Sequence, residues 1–307
     1  MKALRGNERH TGMALVVLAT VLFSTKGIIV KLAYQYPVAP MQLLVIRMLM
    51  AMPFYLLVLG LQWQKGHGRH VTAGNLLLTV MFGISGYYIA SYFDLMGLVY
   101  LPASLERLVL YSYPSMVLLL AVVFLGQRLG RPLLACLVLV YVGLIALFAE
   151  DALAVGEASA GQLYGALLVL IAAFAFAVYF IGSELMLRSL PSRLFTAMAM
   201  LSATLVIMLH YQLHYSWRSL LQLDWPVYGH TALIAFFCTV LPSFMLAAGI
   251  ARIGAASGSV IGSAGPVVTL ILAFVLLDET LTLLQMAGFV LVVIGVFLLG
   301  RLQQHAA

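Results

Sequence analysis

The chain has 307 residues, of which 64% are hydrophobic and only 8% charged, with a mean hydropathy of +1.09. Soluble domains carry about 25% charged residues, so this composition excludes a surface covered by water and demands one that faces lipid. The formal charge of +6 rests on basic residues scattered singly, which argues against a nucleic-acid partner and fits the cytoplasmic loops of a membrane protein.

The first ten residues, with Lys2, Arg5 and Arg9, resemble the start of a signal peptide. The apolar stretch behind them is too long and has no A-x-A-like cleavage site, so it is expected to remain as the first helix. Runs long enough to span roughly 30 Å of hydrocarbon follow in order at 12–34, 40–61, 73–98, 102–124, 131–149, 161–182, 194–213, 227–250, 255–276 and 283–301. They are separated by turn-forming pairs and triplets: Tyr36-Pro37, Gly66-His67-Gly68, Leu101-Pro102, Gly130-Arg131-Pro132 and Pro191-Ser192. The runs are continuous rather than alternating, which predicts an all-α integral membrane fold of ten transmembrane helices and not a barrel. Cys136 and Cys238 lie inside apolar runs without a partner at metal or redox spacing. They read as small packing residues, and neither a metal site nor a cofactor is expected.

Loop charge supplies an orientation. With the N-terminus inside, Lys2, Arg5, Arg9, Lys65, Arg69, Arg128, Arg131, Arg188, Arg193, Arg252 and Arg301 are cytoplasmic, against Arg218 on the other side. The opposite face collects Glu150, Asp151, Glu157, Asp224, Asp278 and Glu279. This bias predicts that both termini are cytoplasmic, which requires an even number of spans.

An internal repeat appears at an offset of 152 residues, where 97–148 aligns without a gap onto 249–300. Matched pairs include Ala103 with Ala255, Pro114 with Pro266, Ala121 with Ala273, Leu129 with Leu281, Ala135 with Ala287 and Gly143 with Gly295. At an offset of 153, Gly12 matches Gly165. Two five-helix units, 12–149 and 161–301, are therefore expected. Five is odd, so the second enters the membrane from the opposite face. Inverted repeats of this kind place substrate near the midplane between the units.

In the second unit Gly265-Pro266-Val267-Val268 is followed by Leu277-Asp278-Glu279-Thr280-Leu281, then Gln285-Met286-Ala287-Gly288 and Gly295-Val296. Over nearly the whole chain the sequence resembles EamA-type members of the drug/metabolite transporter superfamily. In the first unit Gly126-Gln127-Arg128 stands where an acidic residue is common. The resemblance implies a ten-helix exporter of amino acids or related metabolites in the cytoplasmic (inner) membrane.

Seven ionisable residues fall within the runs: Lys26, Lys31, Arg47, Asp94, Glu106, Arg107 and Glu184. Each is a functional candidate, because a charge facing lipid costs at least a few kcal/mol. At about 1.5 Å per residue, Lys26 and Arg47 fall roughly 5 Å from the midplane toward the outer side. By the same count, Lys31, Asp94, Glu106 and Arg107 fall about 10–13 Å out. The second unit has no equivalent group: Gly258 matches Glu106 and Ser259 matches Arg107. Lys31, Arg47, Asp94 and Glu106 are read as ion-paired or gating residues. Lys26 and Arg107 are the candidate receptors of a substrate carboxylate.

Tyrosines give the second signal. Tyr34, Tyr36 and Tyr100 suit an interfacial belt. Tyr87, Tyr88, Tyr111 and Tyr113 lie deeper, where their hydroxyls need partners and so point inward, and Tyr179 lies on the sixth helix. Tyr88 and Tyr92 are expected to share a helix face with Ser85 and Ser91, and Arg107 has the same spacing to Tyr111. Ser91 matches Ser243 across the repeat. The candidate substrate-binding set is thus Lys26, Tyr87, Tyr88, Ser91, Arg107, Tyr111, Tyr179 and Ser243. The glycines and serines from Gly254 to Gly265 permit close helix packing, with Pro114 and Pro266 as matching bends.

Other classes fit less well. Neither H-E-x-x-H, G-x-S-x-G nor a phosphate-binding loop with lysine is present, so no catalytic residue is expected. A channel or facilitator would not require inverted halves, and an exporter of organic cations or drugs, with a cation over the tyrosine ring faces, is the other alternative. The expected partners are a small-molecule substrate and the lipid bilayer. The sequence sets no oligomeric state, and a monomer suffices.

Overall fold

The computed structural model of the chain describes residues 2–125, 131–153, 157–262 and 265–306. The segment Gly126-Gln127-Arg128 and the Gly130 turn lie outside the described residues. Fifteen α-helices account for nearly all of the described chain. In the first half they are α1 (Lys2–Ser24), α2 (Lys26–Ala33), α3 (Pro40–Gln64), α4 (Ala73–Gly83), α5 (Ala90–Tyr100), α6 (Ala103–Leu110), α7 (Tyr113–Leu125) and α8 (Arg131–Leu153). In the second they are α9 (Glu157–Leu187), α10 (Ser192–His214), α11 (Trp225–Ala235), α12 (Leu241–Ile253), α13 (Ala255–Gly262), α14 (Gly265–Leu277) and α15 (Leu283–Ala306). One π-helical turn, Ile84–Ile89, joins α4 to α5 and another, Phe236–Val240, joins α11 to α12.

Among the described residues, 7 helical stretches are long and apolar enough to cross a membrane: Glu8–Ala33, Pro40–Gln64, Ala73–Tyr100, Ala103–Phe124, Ala160–Leu187, Ser192–His214 and Trp225–Ile253. Three shorter apolar helical stretches, Leu134–Ala146, Val268–Leu277 and Leu283–Gly295, fall on the fifth, ninth and tenth expected runs. Large apolar side chains such as Leu57, Leu77, Phe124, Ile145, Phe174, Leu205, Phe274 and Phe297 project outward from many of these helices. A surface of that kind is stable against hydrocarbon and not against water.

The expected runs are less continuous than their hydropathy. The first is interrupted at Thr25, where Ser24 donates its hydroxyl to the Thr20 carbonyl at 2.7 Å and its own carbonyl accepts from Thr269 at 2.9 Å. The fourth breaks at Tyr111 and Ser112. Pro114 lacks the N–H that would bond Leu110, and its ring disfavours helix through Tyr113. In the second half α14 begins at Gly265, beside Pro266. The π turns widen the third and eighth runs, and Thr239 donates to the Ile234 carbonyl at 2.9 Å inside one of them. Such local partners matter because lipid offers none to a freed carbonyl.

Element boundaries recur at the 152-residue offset. Pro40 and Ser192, Ala73 and Trp225, Ala103 and Ala255, Tyr113 and Gly265, and Arg131 and Leu283 each begin corresponding helices. Both π turns obey the same rule, starting at Ile84 and Phe236. Contacts between the halves recur as well. α5 packs on α9 with Gly97 against Val169 and the Gly165 carbonyl, while α12 packs on α1 with Gly249 against Val16 and the Gly12 carbonyl. A Cβ added at Gly97 or Gly249 would come within 2.4 Å of the facing valine. Only glycine lets these backbones approach so closely.

Candidate functional site

A cavity of about 80 Å³ lies inside the helices, enough for several water-sized groups. α1 and α2 meet at its edge, so the break at Thr25 turns Lys26 inward. α3 supplies Arg47, the π turn after α4 supplies Gly86 and Tyr87, and α5 supplies Ser91 and Asp94. α6 and the residues following it supply Arg107, Tyr111 and Tyr113. From the second half come Phe176, Phe180, Cys238, Thr239, Leu246 and Gly258. The charges thus enter from the first half, and the second half contributes rings, small groups and apolar wall.

Four of the five acidic and basic side chains in or directly behind the lining form two pairs. Lys26 Nζ donates to Asp94 Oδ2, joining α2 to α5. Arg107 Nε lies 3.6 Å from Glu106 Oε2 on the same helix. All four are nearly inaccessible, and Glu106 also faces Asp94. Arg47 is the fifth, with 3% of its surface exposed. Its Nη2 approaches the Met48 sulfur at 3.9 Å, a weak contact, and its Nε has no hydrogen-bond partner.

The expected substrate-binding residues divide into three groups. Lys26, Tyr87, Ser91, Arg107 and Tyr111 line the cavity. Tyr179 and Ser243 stand behind it as supports. Tyr87 donates to Tyr179 at 3.0 Å with the rings edge to face, and Ser243 meets the buried Tyr55 hydroxyl at 2.9 Å. Ser91 and Ser243 match across the repeat but hold different posts. Tyr88 lies elsewhere, its hydroxyl 2.8 Å from His210 Nδ1 and its ring near Tyr92.

Of the residues read as ion-paired or gating, Arg47 and Asp94 line the cavity, and Glu106 sits just behind it. Lys31 is separate. It lies in a recess near Tyr100, Pro102 and Glu279, without a carboxylate within ion-pairing distance among the described residues. The expectation that Ser85 shares a face with Tyr88 fails because the π turn shifts the register. Ser85 donates instead to the Ala175 carbonyl at 2.8 Å.

Tyr113, read from the sequence as inward-pointing but left out of the binding set, lines the cavity, and sequence reasoning passed over Phe176, Phe180 and Cys238 as wall residues. Tyr113 packs edge-on against Phe176 and also contacts Phe180, with ring centroids 5.2 and 5.1 Å apart. Apolar residues in an apolar chain carry no periodic signal that separates cavity wall from core. Cys238 is more than packing, since its sulfur lies 3.2 Å from the Thr25 hydroxyl at the helix break.

Glu279 and Glu184 hold helix ends. Glu279 accepts from the N–H groups of Ala103 and Ser104 at 2.8 and 2.9 Å and from the Ser104 hydroxyl at 2.7 Å. Glu184 accepts from the Ala255 N–H at 2.9 Å. Ala103 and Ala255 are equivalent starts in the two halves, and a carboxylate suits the positive end of each helix.

An apolar exterior, membrane-length helices and a buried cavity carrying charge and tyrosine define a multi-pass membrane protein with an internal polar site. Residues 10–149 and 163–301 each match the EamA-like transporter family, and the chain belongs to that family. It is similar to the uncharacterized transporter YcbK of Bacillus subtilis, with 28% identity over 290 residues covering 92% of this chain and 90% of that protein. It is also similar to an uncharacterized transporter of Archaeoglobus fulgidus, 29% identical over 222 residues, 72% of this chain and 75% of the relative. A crystal structure with 17% sequence identity superimposes with a TM-score of 0.67 over 97% of this chain and 99% of the other. That likeness concerns the fold alone.

Proposed function

We propose that this transporter is a secondary carrier for small organic solutes such as amino acids or related metabolites, working as an exporter in the cytoplasmic membrane. The observation that carries the reading is the central cavity, where paired charges and tyrosines from the first half face an apolar wall from the second. A site between two units is where rocking of one against the other exposes substrate to alternate sides. The units are the five-helix repeats 12–149 and 161–301. The recurrence of helix starts at one offset and the reciprocal Gly97 and Gly249 contacts support them.

The loop charges favour both termini on the cytoplasmic side, which requires an even number of spans and so supports ten. Under that reading the three shorter apolar stretches complete the count begun by the 7 longer helices. Lys26 and Arg107 then meet the solute, with Tyr87, Tyr111 and Ser91 around it.

Purified protein in proteoliposomes should catalyse saturable counterflow of a labelled amino acid, and Lys26→Ala or Arg107→Ala should abolish it while the protein still folds. Currents at ion-channel rates, or flux that fails to respond to solute on the opposite side, would refute a carrier.

A further inference from the structure

Among the buried ionisable groups at the cavity, three are cationic (Lys26, Arg47 and Arg107) and two are acidic (Asp94 and Glu106). Each acid has an ion-pair partner: Asp94 accepts from Lys26, and Glu106 lies 3.6 Å from Arg107. Asp94 Oδ1, both Glu106 oxygens and the Arg107 Nε and Nη2 donors nevertheless have no hydrogen-bond partner among the described residues. Among the described residues no carboxylate lies within 4 Å of Arg47. A proton held by Glu106 would only enlarge the positive excess. Asp94 acts on Arg47 only from beyond ion-pairing distance; a buried cation without a close partner is costly, and arginine cannot escape the cost by losing its proton.

We infer that Arg47 is an anion receptor, and that the transported solute carries a carboxylate which pairs with it. The guanidinium offers a planar set of donors matched to the two oxygens of a carboxylate, and its Nε is a donor without a protein partner. Arg47 lines the same cavity as Tyr87 and Ser91, whose side chains can serve the rest of the solute. This inference rests on the carrier reading and deepens it. It disfavours organic cations as substrates, because a cation here would meet net like charge. It also separates Arg47 from Lys26 and Arg107, whose acidic partners are part of the fold.

The test uses the full-length protein in detergent, with thermal unfolding read in acetate, lactate, succinate, inorganic phosphate or tetraethylammonium at matched ionic strength. One or more carboxylates should raise the midpoint in a saturable way, and tetraethylammonium should not. Arg47→Gln should weaken that response at least tenfold in half-saturating concentration, with Arg47→Lys intermediate because the charge remains without the fork. The wild-type ranking alone keeps the inference testable if Arg47→Gln does not fold. Protection by phosphate but by no carboxylate overturns the carboxylate assignment. Protection by tetraethylammonium, an undiminished response in Arg47→Gln, or no anion response at all overturns the receptor. Saturable counterflow of a cationic or neutral solute with no anion response would sink this inference and leave the carrier reading standing. Absence of counterflow for every solute would sink the carrier reading itself.

Discussion

Glu279 and Ser104, 175 residues apart in sequence, are joined twice, with the carboxylate accepting from both the backbone N–H and the hydroxyl. The turn that aims Glu279 at its target begins at Asp278, whose φ of 53° lies in the left-handed region that aspartate tolerates better than most residues. With Ala103, the capped helix start has three bonds to one side chain. The matched start at Ala255 has one, from Glu184. Glu279→Ala should therefore destabilise by about 1–3 kcal/mol, leaving two backbone donors unmet, and Glu184→Ala by roughly 1 kcal/mol or less. Thermal unfolding of the two variants checks the order. Equal losses would mean that the caps are not what these carboxylates contribute.

The pair formed by Lys26 and Asp94 carries a second prediction. Both groups are buried, and removing one partner strands the other. Lys26→Met or Asp94→Asn alone should cost about 3–5 kcal/mol. The double variant should recover much of that loss, since two neutral side chains replace a desolvated pair. A double-mutant cycle from denaturant or thermal midpoints measures the coupling. Simple additivity would show that the pair is incidental to folding.

Much of this arrangement was legible in the sequence, and the reasons differ by residue. The break before Pro114 was legible because proline leaves a local signature, whereas the interruption at Thr25 and the π turn at Phe236–Val240 carry neither proline nor glycine. The repeat survived as an offset, and helix starts from Pro40 with Ser192 to Arg131 with Leu283 follow it. Lys26, Arg107, Tyr87 and Tyr111 were legible as polar groups in apolar runs, where lipid makes every such group conspicuous. The pairing was not. Counting rise along straight helices separates Lys26 from Asp94 by several ångströms of depth. The interruption at Thr25 and the π turn before Asp94 bend that count, and the two groups bond. Lys31, by the same count, belonged with Asp94 and instead faces a different recess. Side-chain partners depend on which helices adjoin, and hydropathy carries no information on adjacency.

Close packing around Gly83 yields a third prediction. A Cβ there would lie 2.4 Å from the Ala199 carbonyl oxygen on α10, and a backbone atom cannot rotate away. Gly83→Ala should destabilise by about 1–3 kcal/mol through overpacking. Gly60, also helical, has nothing within 4 Å of the added methyl group. Gly60→Ala should be neutral or stabilising by up to about 1 kcal/mol from helix propensity. Opposite signs in thermal unfolding are expected, and a comparable loss at both positions would deny that the α4 to α10 approach needs glycine.

Membrane orientation is open to a direct measurement. Cys136 and Cys238 are both buried, so replacing them with serine or alanine gives a background free of native thiols. Arg69 and Arg218 are exposed, and the charge bias places them on opposite sides. Intact cells treated with a membrane-impermeant maleimide should label Arg218→Cys and spare Arg69→Cys until the membrane is permeabilised. A tag after Ala307 should behave as Arg69→Cys does, because ten spans return the chain to its starting side. Seven spans alone would put the two termini on opposite faces. A tag exposed outside while Arg69→Cys stays protected would therefore reject both the ten-span count and the inverted halves, whereas labelling of Arg69→Cys with protection of Arg218→Cys would reverse the orientation and keep the count.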